Sequence, residues 1–226
     1  MDTPSLQDLL ESGAYFGHKK ELSHPKAQKF IYNNKDGVNV INLESTIDQL
    51  KTAAKLIKQI LAEKKPILFV GTKQQAREII KKVALDAKMP YINSRWLGGT
   101  LTNRETIRLR INNYVNLQKD LSDEGNKKYT KKEKVKLEKE LAKLDKFFFG
   151  LKDLNSLPGA LFIVDPVEEH VALEEAKKLN IPVIAVCNTN VNFDKIDCPI
   201  PANDNAPKTI ELICNYFGAV IKENTK

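Results

Sequence analysis

The chain has 226 residues, and its 36 lysines and arginines outweigh 29 aspartates and glutamates to give a formal net charge of +7. That length buries one substantial α/β core with room for an insertion, and it excludes two large independent domains. The positive balance favours nucleic acid or another anionic surface as partner, while saying nothing about fold.

Residues 1–20 begin polar and acidic and lack the apolar run of a signal peptide. Thr3 and Pro4 signal a helix start, with Leu6, Leu9 and Leu10 as its apolar side, and Gly13 and Gly17 break it. Residues 30–32 and 38–43 flank Asn33-Asn34-Lys35-Asp36-Gly37 and predict a hairpin, because Asp-Gly supplies the positive φ of a tight turn. Ile47, Leu50, Ala54, Ile57 and Leu61 then recur at helical spacing up to Lys64. Residues 67–70 are a continuous apolar run, as expected of a strand covered on both faces, and Thr72-x-x-Gln75 predicts a capping box for a helix through Ala87.

The strand-then-helix unit repeats at 160–164 with 167–179, and at 182–186 with 208–222. Such alternation predicts a flavodoxin-like α/β fold, a parallel sheet wound by right-handed crossovers with helices on both faces. Between Arg104 and Gly150 the pattern changes. Ile107, Ile111, Tyr114 and Leu121, then Leu137, Leu141, Leu144 and Phe148, follow heptad-like spacings, and the polar cluster 122–130 holds Gly125 and Asn126. An inserted antiparallel coiled-coil hairpin over 105–149 is the reading, each arm of about 18 residues spanning roughly 27 Å. Residues 1–104 and 150–226 then form the core domain. No apolar stretch reaches the roughly 18 residues of a membrane span, so no membrane partner is expected. Cys187, Cys198 and Cys214 are widely spaced and never form C-x-x-C, which argues for a reduced, cytoplasmic setting.

The segment 93–104, Asn-Ser-Arg-Trp-Leu-Gly-Gly-Thr-Leu-Thr-Asn-Arg, closes one strand, opens the basic helix and contains no carboxylate. Arg95 and Arg104 can bind phosphates bidentately, Trp96 offers a stacking face, and Gly98 and Gly99 let the backbone approach a partner closely. Asn103 and the free helix N–H groups would face that partner. The competing reading has Trp96 and Leu97 filling a core gap and the arginines solvated.

Other chemistry is sparse. Gly71-Thr72-Lys73 joins a strand to a helix, a common phosphate position, yet neither G-x-G-x-x-G nor G-x-x-x-x-G-K-[ST] is present. Lys73 is read as meeting an RNA phosphate or solvent. His18, His24 and His170 show no metal-ligand spacing; His18 reads as an RNA contact or loop hydrogen bonder, and His170 as a surface residue. Asp165, Asn188, Thr189, Asn190 and Asp194 lie at strand ends but read as turn residues, and no nucleophile stands beside a base. No catalysis, cofactor, metal or small-molecule substrate is therefore expected. A cytosolic nucleotide-binding enzyme using residues 71–73, Asp165 and Asn188 is the alternative. Basic residues cluster at Lys19, Lys20, Lys26 and Lys29, around Arg95, Arg104, Arg108 and Arg110, and at Lys127, Lys128, Lys131 and Lys132.

R-W-L-G-G-T-L-T-N with its Arg-rich helix closely resembles a signature of the second small-subunit ribosomal protein family, bacterial type. Gly17-His18 with Pro25-Lys26, I-L-F-V-G-T-K at 67–73, Met89-Pro90-Tyr91, Val164-Asp165-Pro166, Ile181-Pro182-Val183 and P-I-P-A-N-D at 199–204 resemble it too, in order and spacing. The resemblance implies a flavodoxin-like core with a coiled-coil arm, in a ribosome-associated constituent of the small subunit that supports translation. It implies binding of small-subunit ribosomal RNA and of neighbouring ribosomal proteins, in many bacteria including the large one that captures messenger RNA. The R-W-L-G-G-T-L-T-N loop, Gly17-His18 and the arm are the implied contact regions. The sequence departs from the usual pattern with His24 before Pro-Lys and with Asn188-Thr189-Asn190 in place of Asp-Thr-Asn.

Overall fold

The structure, a computed structural model, describes residues 3–121 and 129–225. Helix Leu6–Glu11 (α1) starts two residues later than Thr3-Pro4 suggested, on a Ser5 cap. Ser5 Oγ accepts from the Asp8 N–H, and the Asp8 carboxylate accepts from the Ser5 N–H. Strands Phe16–Lys19 (β1), Ile31–Lys35 (β2) and Val38–Ile41 (β3) form an antiparallel sheet in the order β1-β3-β2. Asp36 and Gly37 have φ of 51° and 79°, the two positive angles that the Asp-Gly turn demands. Strand β1 was hidden by Gly17, where a Cβ would lie 2.8 Å from both the Asn39 carbonyl oxygen and Thr189 Cγ2. Only a glycine lets this strand close on its neighbours.

Helix Leu43–Ala62 (α2) is capped by Asn42, whose side chain accepts from the Glu44 N–H. It leads into the main sheet. Strands Ile67–Val70 (β4), Tyr91–Ile92 (β5), Ala160–Val164 (β6), Val183–Cys187 (β7) and Cys198–Pro201 (β8) are all parallel, in the order β5-β4-β6-β7-β8. This is the flavodoxin-like order, and it reverses direction between β4 and β6. Strand β8 carries Pro199 and Pro201, which cannot donate to a ladder, and it survives because it is an edge strand.

The sheet separates two cores by simple alternation of side chains. Ile67, Phe69, Phe162, Val164, Ile184 and Val186 face one side, with α2, helix Arg77–Asp86 (α3) and helix Pro207–Asn224, here numbered last as α7. Leu68, Val70, Leu161, Ile163, Ala185 and Cys187 face the other. That side is covered by helix His170–Lys178 (α6) and by the bases of helices Arg104–Asp120 (α4) and Lys131–Phe148 (α5). Tyr114 and Phe148 are among its fully buried rings. The Tyr114 hydroxyl donates to Asp145 at 2.7 Å and the Arg104 guanidinium donates to the Asn155 carbonyl, so the chain returns along α4 toward the core. The predicted reversal at the tip lies outside the described residues.

Helix α3 corrects one expectation. Its cap is Ala76, with no side-chain cap, and the Thr72-x-x-Gln75 box does not form. The Thr72 N–H is instead taken by Glu169 at 2.6 Å.

Candidate nucleic-acid interface

Segment 93–103 leaves the end of β5 and lies against α6 before α4 begins. It is folded around one carboxylate from another part of the chain. Glu175 Oε1 accepts from Trp96 Nε1 at 3.0 Å and from the Gly99 N–H at 2.7 Å. Its Oε2 accepts from the N–H groups of Leu101 and Thr102, at 2.9 and 3.1 Å, and from the Thr102 hydroxyl at 3.2 Å. Gly99 adopts φ +90°, a conformation that side chains resist, to bring its N–H inward. Burial disfavours the charge of Glu175, but the hydrogen bonds from Trp96, Leu101, Gly99 and Thr102 outweigh it and hold the carboxyl below its usual range.

This geometry corrects the reading of Trp96. Its indole is 8 % exposed and packed in the second core, so it offers no open stacking face. The loop N–H groups of Gly99, Leu101 and Thr102 are turned inward as well. What remains outside is polar or cationic: Arg95, Gly98, Asn103 and Arg108 are exposed, and Arg104 is half-buried through its bond to Asn155.

Lys73 is also displaced from its expected role. Its ammonium lies 3.0 Å from Asp165 Oδ2 and 3.7 Å from Asp204 Oδ1, with only 19 % of the side chain exposed. Asp165 sits at φ +61° and its Oδ1 accepts from the N–H groups of Val167 and Glu168. Asn188 donates to Asp204 at 3.0 Å. These residues occupy the sheet's reversal point, where α/β proteins bind nucleotides, and they pair with one another except at Asp204 Oδ2, which is buried without a hydrogen-bond partner among the described residues. Burial raises the Asp204 carboxyl, and the Asp165 charge adds to this against the opposing pull of Lys73.

The N-terminal basic cluster meets the same end of the sheet through Thr189. Its hydroxyl accepts from the His18 N–H at 2.9 Å, and its carbonyl accepts from the His24 N–H at 2.9 Å. Lys19 and Lys20 are exposed beside it, whereas His18 is half-buried. His24 caps a short turn, its Nδ1 accepting from the Lys26 N–H. The Lys26 ammonium pairs with Asp194 at 2.8 Å yet stays 59 % exposed. Lys131 is exposed at the start of α5, and Lys127 and Lys128 lie outside the described residues.

Sequence reasoning missed Glu175 and Glu169. A signal for Glu175 exists: it falls between Ala172, Leu173 and Ala176 on the buried stripe of α6, where a lone acid must have internal partners. Among the described residues, no group of three or more His, Cys, Asp or Glu side chains could hold a metal ion. All three cysteines are buried thiols, and burial with the nearby Asp197 charge pushes Cys198 up to about 11. The profile of the family described as Ribosomal protein S2 matches residues 9–224 of this chain. The chain therefore belongs to the ribosomal protein S2 family and is a small-subunit ribosomal protein with a structural role in translation.

Proposed function

We propose that this ribosome-associated protein binds small-subunit ribosomal RNA through the outer edge of segment 93–104, the first turns of α4 and the N-terminal lysines. The observation that carries this reading is a division of labour within one loop. Its inner side is locked to Glu175, and its outer side presents Arg95, Gly98 and Asn103 with no carboxylate within 93–104, while Arg108 is exposed one turn into α4, beyond the exposed Glu105. Cations on a rigid edge neutralise phosphates and release counterions, and a fixed backbone shape selects among RNA surfaces. Lys19, Lys20, Lys26 and Lys131 extend the cationic surface, with His18 holding the first strand in place. Trp96 and Lys73 support the shape from inside rather than touching RNA.

Helices α4 and α5 form, in this reading, an inserted coiled-coil arm over 105–149 that reaches RNA or neighbouring proteins beyond the core of 1–104 and 150–226. A purely structural role without catalysis fits the reversal point of the sheet, because Lys73 is engaged there by Asp165 and Asp204 and the Thr72 N–H is taken by Glu169. Uptake into small subunits depleted of this protein tests the assignment. The double variant Arg95→Ala/Arg104→Ala should weaken uptake while the core still unfolds cooperatively, and undiminished uptake would refute the assigned contact. Calorimetric titration with mononucleotides should give no binding heat; saturable heat would favour the enzyme reading.

A further inference from the structure

We propose that Glu175 is a positioning residue for RNA binding, a resident anion around which the 96–102 backbone folds so that Arg95, Gly98 and Asn103 point outward. This rests on the RNA-binding reading above. Four N–H groups and one hydroxyl converge on a single carboxylate, drawn from four residues that lie 73 to 79 positions away in the chain. Only an ionised carboxylate supplies acceptors on both oxygens. A glutamine would keep one acceptor oxygen and set an NH2 donor against the remaining donors, and an aspartate would fall one methylene short. The dependence runs both ways. If the segment left, the carboxylate, 6 % exposed beneath it, would exchange these five donors for water.

Plain electrostatics makes the opposite prediction for the same substitution. An acid beside a phosphate-binding edge repels phosphate, so removing its charge should tighten RNA binding if Glu175 were a bystander. A positioning role requires that the neutral variant bind more weakly, and the sign of the change decides between them.

The experiment compares the full-length chain with Glu175→Gln and Gly99→Ala by titrating labelled protein onto small subunits depleted of it, over a KCl series. Trp96, the sole tryptophan, reports the loop by its emission, and urea unfolding followed by circular dichroism reports the core. Glu175→Gln should keep a cooperative core, red-shift the emission and weaken uptake at least tenfold. Gly99→Ala leaves the charge in place, but its Cβ at φ +90° would sit 3.0 Å from Asn103 Cβ and distort the same loop, so it should weaken uptake too. Uptake of Glu175→Gln equal to or tighter than wild type would overturn the proposal. If that variant fails to fold, undiminished uptake of Gly99→Ala overturns it. Wild-type protein that ignores the depleted subunits would instead sink the RNA reading, and this inference with it.

Discussion

The ammonium of Lys73 and the carboxylate of Asp165 form an ion pair 3.0 Å long across the gap where the sheet reverses its strand order, with Asp204 3.7 Å from the same nitrogen. One cation thus serves two carboxylates, and the second of them is fully buried.

Lys73→Met should therefore leave two like charges in a confined site. Breaking a buried pair by removing one partner costs about 3 kcal/mol, because the remaining charge is uncompensated. Adding Asp165→Asn to that variant removes one of the stranded charges and should restore part of the loss. Urea unfolding of the single and double variants checks this, and a double variant less stable than Lys73→Met would contradict the account.

Close backbone packing yields a second expectation. A Cβ on Gly150 would lie 2.2 Å from the Tyr91 carbonyl oxygen, where the start of the return segment passes the short strand β5. The obstacle is backbone and cannot rotate away. Gly150→Ala should cost about 2 kcal/mol, within the range of overpacked sites, whereas Gly98→Ala, which meets nothing within 4 Å, should leave stability unchanged in the same urea assay.

The contrast between those glycines shows what a sequence carries and what it withholds. Strands β4, β6 and β7 are continuous apolar runs whose alternation builds the two cores, so local pattern sufficed to find them. Strand β8 was invisible because its prolines are tolerated only by its edge position, a fact about the sheet rather than about the segment. Arg95 and Arg108 could be nominated from residue type alone. The inward turn of Trp96 could not, because its partner Glu175 is 79 residues away and the contact exists only after the sheet has formed.

Tyr114 connects the packing of α4 on α5 to pH. Burial, then its hydrogen bond to Asp145, raises its hydroxyl well above the ordinary value of 10.0, and burial also raises Tyr91. A group with a raised folded-state pKa contributes stability that is complete below the unfolded value and lost as pH rises toward the folded one. The protein should lose stability above about pH 10, where unfolded tyrosine releases its proton. Tyr114→Phe should cost about 1 kcal/mol at neutral pH through the lost hydrogen bond, and it should flatten the alkaline decline in a thermal-melt series. An unchanged alkaline slope would show that Tyr114 does not carry it.

Acid should act on the other side of the same core in a fixed order. Glu169 is raised, chiefly by burial, so it takes up its proton above the ordinary glutamate value of 4.5. Its contribution to stability is present below that value and fades as pH climbs through its own, so acidification does not weaken the fold through Glu169. Glu175 is depressed, so what it contributes holds above the ordinary value and disappears only as pH falls through its lower one. Protonation there replaces an acceptor with a donor facing the N–H groups of Leu101 and Thr102 or of Gly99. Trp96 emission should stay constant as pH falls through 4.5 and change only in more acidic solution. Emission that shifts at or above the ordinary glutamate value would mean that the five donors do not hold Glu175 ionised, and that something else keeps the loop in place.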